Sequence, residues 1–198
     1  VRQEALVRKL GDFARFLSLA AAESGQTVNF NRISQDIGVA QTTITAYYQI
    51  LEDCLIAERI EPFLKNSTTR RRVIKACKYL FFDLGVRRIA AAEGIQPSEK
   101  IMGQWFEQFI GLVLLRHARI TSHKTTLHFW RDLEGREVDW VINMPDKIIP
   151  IEVKWTDKPT LKDARHLKTF LQDYEQEKGY VVCRCSKARK LDEHITAI

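Results

Sequence analysis

Apolar side chains in the first third of the chain recur at the spacing of amphipathic helices. The predicted elements are helices over residues 2–24, 31–37 and 42–54, followed by a strand-like tail over residues 55–60. Gly38 lies in the turn between the second and third helices. A short helix, a glycine-containing turn, a longer helix and a strand are typical of a winged helix-turn-helix.

The pattern changes in the second half, where apolar and polar positions alternate as they do in strands. The predicted elements are helices over residues 83–93, 101–118 and 161–174, and strands over residues 126–130, 137–142, 148–155 and 179–185. An antiparallel meander, a crossover helix and a further strand predict an α/β sandwich with a mixed sheet. The fold class is therefore α/β (α+β), with a boundary at residues 94–98 that separates a domain over 1–94 from one over 95–198.

Composition narrows the class of protein. The chain has 198 residues, of which 45% are hydrophobic, so it is long enough to build one large core or two small ones. No apolar run reaches the roughly 18 residues that a membrane-spanning helix requires, which predicts a cytoplasmic protein without membrane contact. The four cysteines have no C-x-x-C spacing and are interpreted as reduced thiols.

The net charge of +6 is concentrated in one stretch. Residues 61–90 hold eight Lys/Arg and two Asp/Glu, whereas the flanking segments are nearly neutral. The candidate nucleic-acid-binding residues in this basic hinge are Arg70, Arg71, Arg72, Lys75 and Lys78. Such a cluster fits either phosphate binding or a solvated hairpin tip, and the sequence favours neither.

The helix over residues 42–54 lacks the basic residues that are typical of a DNA-recognition helix. It contains no Lys or Arg and ends in Glu52 and Asp53. Neutralisation of backbone phosphates supplies most of the affinity of proteins for DNA. The charge pattern therefore favours a docking module over a sequence-reading DNA binder.

Candidate chemistry lies in the second half. On a strand, Glu152 and Lys154 project to the same face, and Asp139 lies on the neighbouring predicted strand. Converging Asp139 and Glu152 would form an oxygen site suited to Mg²⁺ or Mn²⁺, beside which Lys154 would stabilise developing charge. The alternative is a buried Asp–Lys or Glu–Lys pair that fixes strand register.

These residues also carry a family resemblance. Glu107, Asp139 and the Glu152-x-Lys154 motif, in this order of elements, resemble the restriction-endonuclease-like PD-(D/E)xK superfamily. Most of the chain further resembles the C-terminal region of bacterial and archaeal AAA-type ATPases that end in a domain of unknown function. The matching stretches are residues 38–52, 78–85, 103–107, 129–131, 137–139 and 151–154.

The resemblance implies a role for each of these side chains. Asp139 and Glu152 would bind Mg²⁺ or Mn²⁺, Glu107 would assist, and Lys154 would act as electrostatic catalyst in DNA phosphodiester cleavage. A non-catalytic nucleic-acid- or protein-binding module of the ATPase is the alternative, and a homo-oligomer is compatible with either.

The sequence begins with Val1 rather than Met, and the resemblance implies that an ATPase module lies upstream of it. The chain contains no G-x-x-x-x-G-K-[ST] motif, so ATP would act only through that module.

Overall fold

The computed structural model describes residues 9–64, 73–94 and 96–198, which form two compact units. The first unit draws on Val1–Arg59 and Ala76–Pro97, and the second on Ile60–Lys75 and Ser98–Ile198. Over these residues the fold is mixed α and β, with six helices and a mixed six-stranded sheet. The predicted α/β class is confirmed at this level.

The first unit consists mainly of helices. Its elements are α1 (Leu10–Ala22), α2 (Phe30–Ile37), α3 (Gln41–Asp53), β1 (Ala57–Ile60), β2 (Lys78–Phe81) and α4 (Leu84–Ala90). Asn29 caps α2, because its side chain accepts the backbone N–H of Arg32 at 3.0 Å. Gly38 ends α2 with φ of +80°, a left-handed conformation that glycine adopts without steric cost.

Aromatic rings fill the core of the first unit. Tyr48 of α3 stacks on Tyr79 of β2, with 4.1 Å between the ring centroids, and meets Phe16 of α1 edge to face at 4.9 Å. Phe16 and Tyr48 lie on the apolar faces that the helical spacing predicts. Helices α2 and α3, joined by the Gly38 turn, also form as predicted.

The second unit is built around the sheet. Its elements are α5 (Glu99–Thr121), β3 (Thr126–Arg131), β4 (Glu137–Asn143), β5 (Ile148–Val153), α6 (Arg165–Asp173), β6 (Gly179–Val182), β7 (Arg189–Lys190) and β8 (Ile195–Ala197). The strand order is β3-β4-β5-β6-β8-β7. The meander β3-β4-β5 is antiparallel, and β6 lies parallel to β5 after the α6 crossover. Strands β7 and β8 were not predicted.

The observed units differ from the predicted domains at residues 60–75. Phe63 is buried in the core of the second unit, where its ring meets Tyr174 at 5.2 Å, and its N–H donates to Phe129 at 2.7 Å. The N–H of Ile74 donates to the carbonyl of Arg131. The described part of the 60–75 segment therefore belongs to the second unit rather than to a domain over 1–94.

The composition predicts that no helix spans a membrane and that the cysteines are reduced. None of the helices in the described part of the chain is long and apolar enough to cross a membrane. Cys54, Cys77, Cys183 and Cys185 are free thiols, as their spacing predicts.

Candidate active site

Two acidic side chains come from neighbouring antiparallel strands. Trp140 of β4 pairs with Ile151 of β5, so the next position along each strand places Asp139 opposite Glu152. The Oδ2 atom of Asp139 accepts the backbone N–H of Val153 at 2.7 Å. The carboxylate thus replaces a backbone carbonyl at the end of the β4–β5 ladder and is held against β5.

The strand that carries Asp139 is irregular at this position. His128 of β3 pairs with Val141, whereas Trp130 pairs with Val138. Strand β4 therefore has two residues between the paired positions where β3 has one, which is a β-bulge. Bulges redirect side chains and are common beside active sites, and this bulge contains Asp139.

Glu152 and Lys154 form an ion pair within the same site. The Nζ atom of Lys154 lies 2.6 Å from Oε1 of Glu152, which is only 5% exposed. The second oxygen, Oε2, is buried without a hydrogen-bond partner in the described part of the protein. Burial and then the charge of Asp139 raise the pKa of Glu152 well above its usual value, although Lys154 opposes both effects.

Lys154 remains a cation in this environment. Burial lowers its pKa, but the charges of Glu152 and Asp139 outweigh burial, so the net shift is upward. The charge of Glu107 on α5 also raises the pKa of both Lys154 and Glu152. The structure therefore places Asp139 beside the Glu152–Lys154 pair, and Glu107 is near enough for its charge to act on that pair.

Helix α5 packs closely on β4 and thereby positions Glu107 near the Glu152–Lys154 pair. The indole N–H of Trp140 donates to the carbonyl oxygen of Glu107 at 3.1 Å. One turn further along the helix, Gly111 faces the same ring, and a Cβ atom built there would lie 2.4 Å from Trp140 Cζ2. The absence of a side chain at Gly111 is what permits this approach.

The chemistry of the donor set is compatible with a hard divalent cation. The buried Glu152 Oε2 has no hydrogen-bond partner in the described part of the protein, and the adjacent Asp139 charge repels the Glu152 carboxylate. A cation between the two carboxylates would offset their mutual repulsion and give Glu152 Oε2 a partner, with water completing the octahedral shell that Mg²⁺ prefers. No cluster of three or more His, Cys, Asp or Glu side chains able to hold a metal ion occurs in the described ranges.

Comparison with known families covers nearly the whole sequence. Residues 1–99, half of the chain, match the model of a domain of unknown function, DUF8612. The chain belongs to the DUF8612 family. Residues 102–198 match a second domain of unknown function, DUF4143, and all four clustered residues lie in this DUF4143 segment.

Curated relatives of this DUF8612 protein are distant. Uncharacterized proteins of Mycobacterium bovis and Mycobacterium tuberculosis are each 22% identical over 188 residues. The alignment covers 93% of this chain and 41% of each relative. The chain therefore spans about two fifths of the length of these relatives.

In the basic hinge of the DUF8612 protein, the structure describes only two of the five predicted nucleic-acid-binding residues. Arg70, Arg71 and Arg72 lie outside the described residues, so their predicted role stays a prediction. Lys75 is exposed, as phosphate binding requires. Lys78 is only 1% exposed, because all four residues of β2 are buried, so its side chain does not form part of a basic surface.

Sequence reasoning missed two neighbours of the site. Trp155 follows Lys154 directly and meets Phe106 of α5 edge to face at 5.3 Å. The guanidinium of Arg184, from the segment after β6, lies 4.4 Å from the centre of the Trp155 ring. Arg184 is 29 residues away from Trp155 in the sequence, and only the parallel pairing of β5 with β6 brings them together.

Proposed function

We propose that the second unit is a metal-dependent phosphodiesterase that acts on DNA. The observation that carries the proposal is the Glu152–Lys154 ion pair beside Asp139, in which one buried oxygen of Glu152 has no hydrogen-bond partner among the described residues. An ion pair with only a structural role would require neither the neighbouring Asp139 nor an unbonded Glu152 oxygen. Burying such groups together is costly unless the site has a use for their charge.

The proposal includes a restriction-endonuclease-like fold for the second unit. The order of a helix, an antiparallel three-stranded meander, a crossover helix and a parallel strand supports it. For the first unit we propose a winged helix. The sequence of α1, α2, the Gly38 turn, α3 and a two-stranded sheet supports this assignment.

In the proposed reaction each clustered side chain has one task. Asp139 and Glu152 would hold Mg²⁺ or Mn²⁺, which would polarise the phosphate and lower the pKa of a bound water. Lys154, held by Glu152 at 2.6 Å, would place its positive charge where negative charge develops on the phosphate. Glu107 adds negative charge that stabilises the protonated form of Lys154.

The resemblance to AAA-type ATPases extends the proposal to the whole protein. The chain covers 41% of each mycobacterial relative, so there is room for another module in proteins of that length. We propose that an ATPase module precedes Val1 and drives or regulates DNA processing by the second unit. ATP would bind that module and not the residues discussed above.

Cleavage of labelled DNA by the full 198-residue chain tests the proposal. Branched, single-stranded and duplex substrates are incubated with Mg²⁺ or Mn²⁺, and products are resolved on a gel. Asp139→Asn removes the charge but keeps an acceptor for the Val153 N–H, so the chain should still fold. We expect it to lower the cleavage rate about 100-fold or more, equivalent to at least about 2.7 kcal/mol of transition-state stabilisation.

Asp146→Asn is the matched control, because Asp146 is an exposed acid in the turn between β4 and β5. It should cleave at the wild-type rate. Cleavage by Asp139→Asn at the wild-type rate would rule out the proposed site. Binding of DNA without cleavage under any condition would instead favour the regulatory module.

Stabilisation by Mg²⁺ provides a readout that does not depend on activity. A ligand at ten times its Kd raises the free energy of unfolding by about 1.4 kcal/mol if it binds only the folded state. We expect a rise of this size for the wild type in a urea titration with added Mg²⁺. Asp139→Asn should show little or none, and an equal rise in both proteins would place the ion elsewhere.

A further inference from the structure

A strip of cations runs away from the carboxylate cluster along one edge of the sheet. Strands β5 and β6 are parallel, so the segments that follow them leave the sheet at the same edge. Residues 154–162 contain three lysines and one aspartate, and residues 184–190 contain four Lys/Arg and no acid. The near-neutral charge of the second half of the chain thus conceals a local excess of positive charge.

Hydrogen bonds join the two segments at two places. The N–H of Arg184 donates to the carbonyl of Thr156 at 2.8 Å, and Arg189 Nη2 donates to the carbonyl of Pro159 at 2.6 Å. Pro159 is three positions after Thr156, so at most about 10 Å of extended chain lies between the two contacts. The strip is therefore continuous from the active-site side to its far end.

The far end of the strip is an open cleft of about 490 Å³. Its lining residues are Lys158, Pro159, Thr160, Leu161, Arg189, Lys190 and Leu191. The acids nearest in sequence are Asp157, which is exposed, and Asp192, whose carboxylate pairs with Lys168 at 2.7 Å. The Oδ2 atom of Asp163 accepts both the N–H and the hydroxyl of Thr160. The cleft thus presents three cations on walls that hydrogen bonds hold in place.

The near end of the strip is Arg184. Its guanidinium stacks on Trp155, which itself packs against Phe106 of α5. Stacking on an aromatic ring fixes the plane of a guanidinium, and a fixed guanidinium suits the geometry of a phosphate group. Trp155 follows Lys154 in the chain and contacts Phe106, the residue before Glu107, so Arg184 is joined to the site through direct neighbours of two of its residues.

We propose that Arg184 and the cleft of Lys158, Arg189 and Lys190 bind successive phosphates of one nucleic-acid strand and lead it to the carboxylate cluster. The inference rests on the proposed function only for the direction of the strand, since binding itself requires no metal. Several cations along one open strip match the repeating charge of a phosphodiester backbone. In this assignment Trp155 is a positioning residue that acts through Arg184.

Salt dependence of binding to a labelled 20-nucleotide single-stranded DNA tests the inference. Fluorescence anisotropy is measured over a NaCl series with EDTA, so that no cleavage occurs. Each phosphate contact contributes about 0.7 to the slope of log K against log salt for a single strand. The double variant Lys158→Gln/Lys190→Gln should lower the slope by about 1.4, and Arg184→Gln should lower it by about 0.7.

The control is Lys147→Gln/Lys178→Gln, which removes the same charge at the opposite edge of the sheet. Lys147 and Lys178 are exposed and immediately precede β5 and β6. The control should keep the wild-type slope. An equal loss of slope in both double variants, an unchanged slope in the cleft variant, or equally strong binding of polyglutamate would overturn the inference.

The same measurements separate the two proposals. Strip-dependent binding without cleavage in Mg²⁺ or Mn²⁺ would support the strip while removing the phosphodiesterase. Cleavage that depends on Asp139 but has the same KM in the Lys158→Gln/Lys190→Gln variant would support the phosphodiesterase while removing the strip.

Discussion

In the absence of divalent cations, the Glu152 carboxyl should contribute a loss of stability as the pH rises above about 4.5. Burial and the charge of Asp139 raise the pKa of folded Glu152 well above its usual value of 4.5. Between the two pKa values the folded state holds a proton that the unfolded state has released. The contribution of Glu152 to the free energy of unfolding therefore falls with rising pH, by up to about 1.4 kcal/mol for each pH unit in that window.

The contribution of Glu152 is fully present below its unfolded pKa and is lost once the pH passes the raised folded value. Lys154 does not oppose this trend in the same window. Its folded pKa is raised above 10.5, so the stability it contributes is present below that value and is lost only at strongly alkaline pH. The two members of the ion pair therefore act in separate pH ranges.

Urea unfolding in EDTA from pH 4 to pH 8 measures the effect. Glu152→Gln cannot titrate, so its stability should fall less steeply with rising pH than that of the wild type. Glu193→Gln, which replaces an exposed acid outside the site, is the control and should reproduce the wild-type curve. If the free energy of unfolding falls equally steeply with pH in the wild type and in Glu152→Gln, the buried Glu152 carboxyl does not have the predicted effect on stability.

The acidic cluster was predictable because its determinants are local. Strand periodicity places Glu152 and Lys154 on one face, and the short turn between β4 and β5 forces an antiparallel pair that brings Asp139 alongside. Glu107 is predicted from the order of helices and strands, on which the family resemblance also depends. Asp139, Glu152 and Lys154 meet through this local hairpin, whereas the approach of Glu107 depends on the packing of α5 against β4.

Other features depend on contacts between distant segments and left no local signal. Phe63 enters the core of the second unit beside Tyr174, so the chain crosses from one unit to the other earlier than the linker composition indicates. Lys78 was interpreted as a surface cation because of its basic neighbours, but β2 is buried on both faces. The two-residue strand β7 is too short for any periodicity.

The basic strip shows why a charge count along the sequence was misleading. Residues 91–198 hold 17 Lys/Arg and 16 Asp/Glu, which indicates a neutral surface. Parallel pairing of β5 and β6 then gathers Lys158, Arg184 and Lys190 at one edge of the sheet. Net charge over a segment carries no information on which face each side chain occupies, and binding depends on the face.

The second large effect should come from Gly111→Ala on α5. The added Cβ would lie 2.4 Å from Cζ2 of Trp140 and under 3.0 Å from two further ring atoms. Trp140 is fully buried and its indole N–H is bonded to Glu107, so the ring has no room to withdraw without breaking that bond. Overpacking of this kind costs about 1–3 kcal/mol, against about 1 kcal/mol that alanine gains over glycine in a helix.

Gly103→Ala on the same helix is the matched control, because its Cβ would lie 3.8 Å from Trp155, an ordinary contact. It should leave stability unchanged or raise it by up to about 1 kcal/mol. Urea unfolding should therefore separate the two variants, with Gly111→Ala the less stable. Because α5 carries Glu107, the displacement of the helix in Gly111→Ala should also lower the DNA cleavage rate. If the two alanine variants prove equally stable, the close packing of α5 on Trp140 is not what fixes Glu107 beside Lys154.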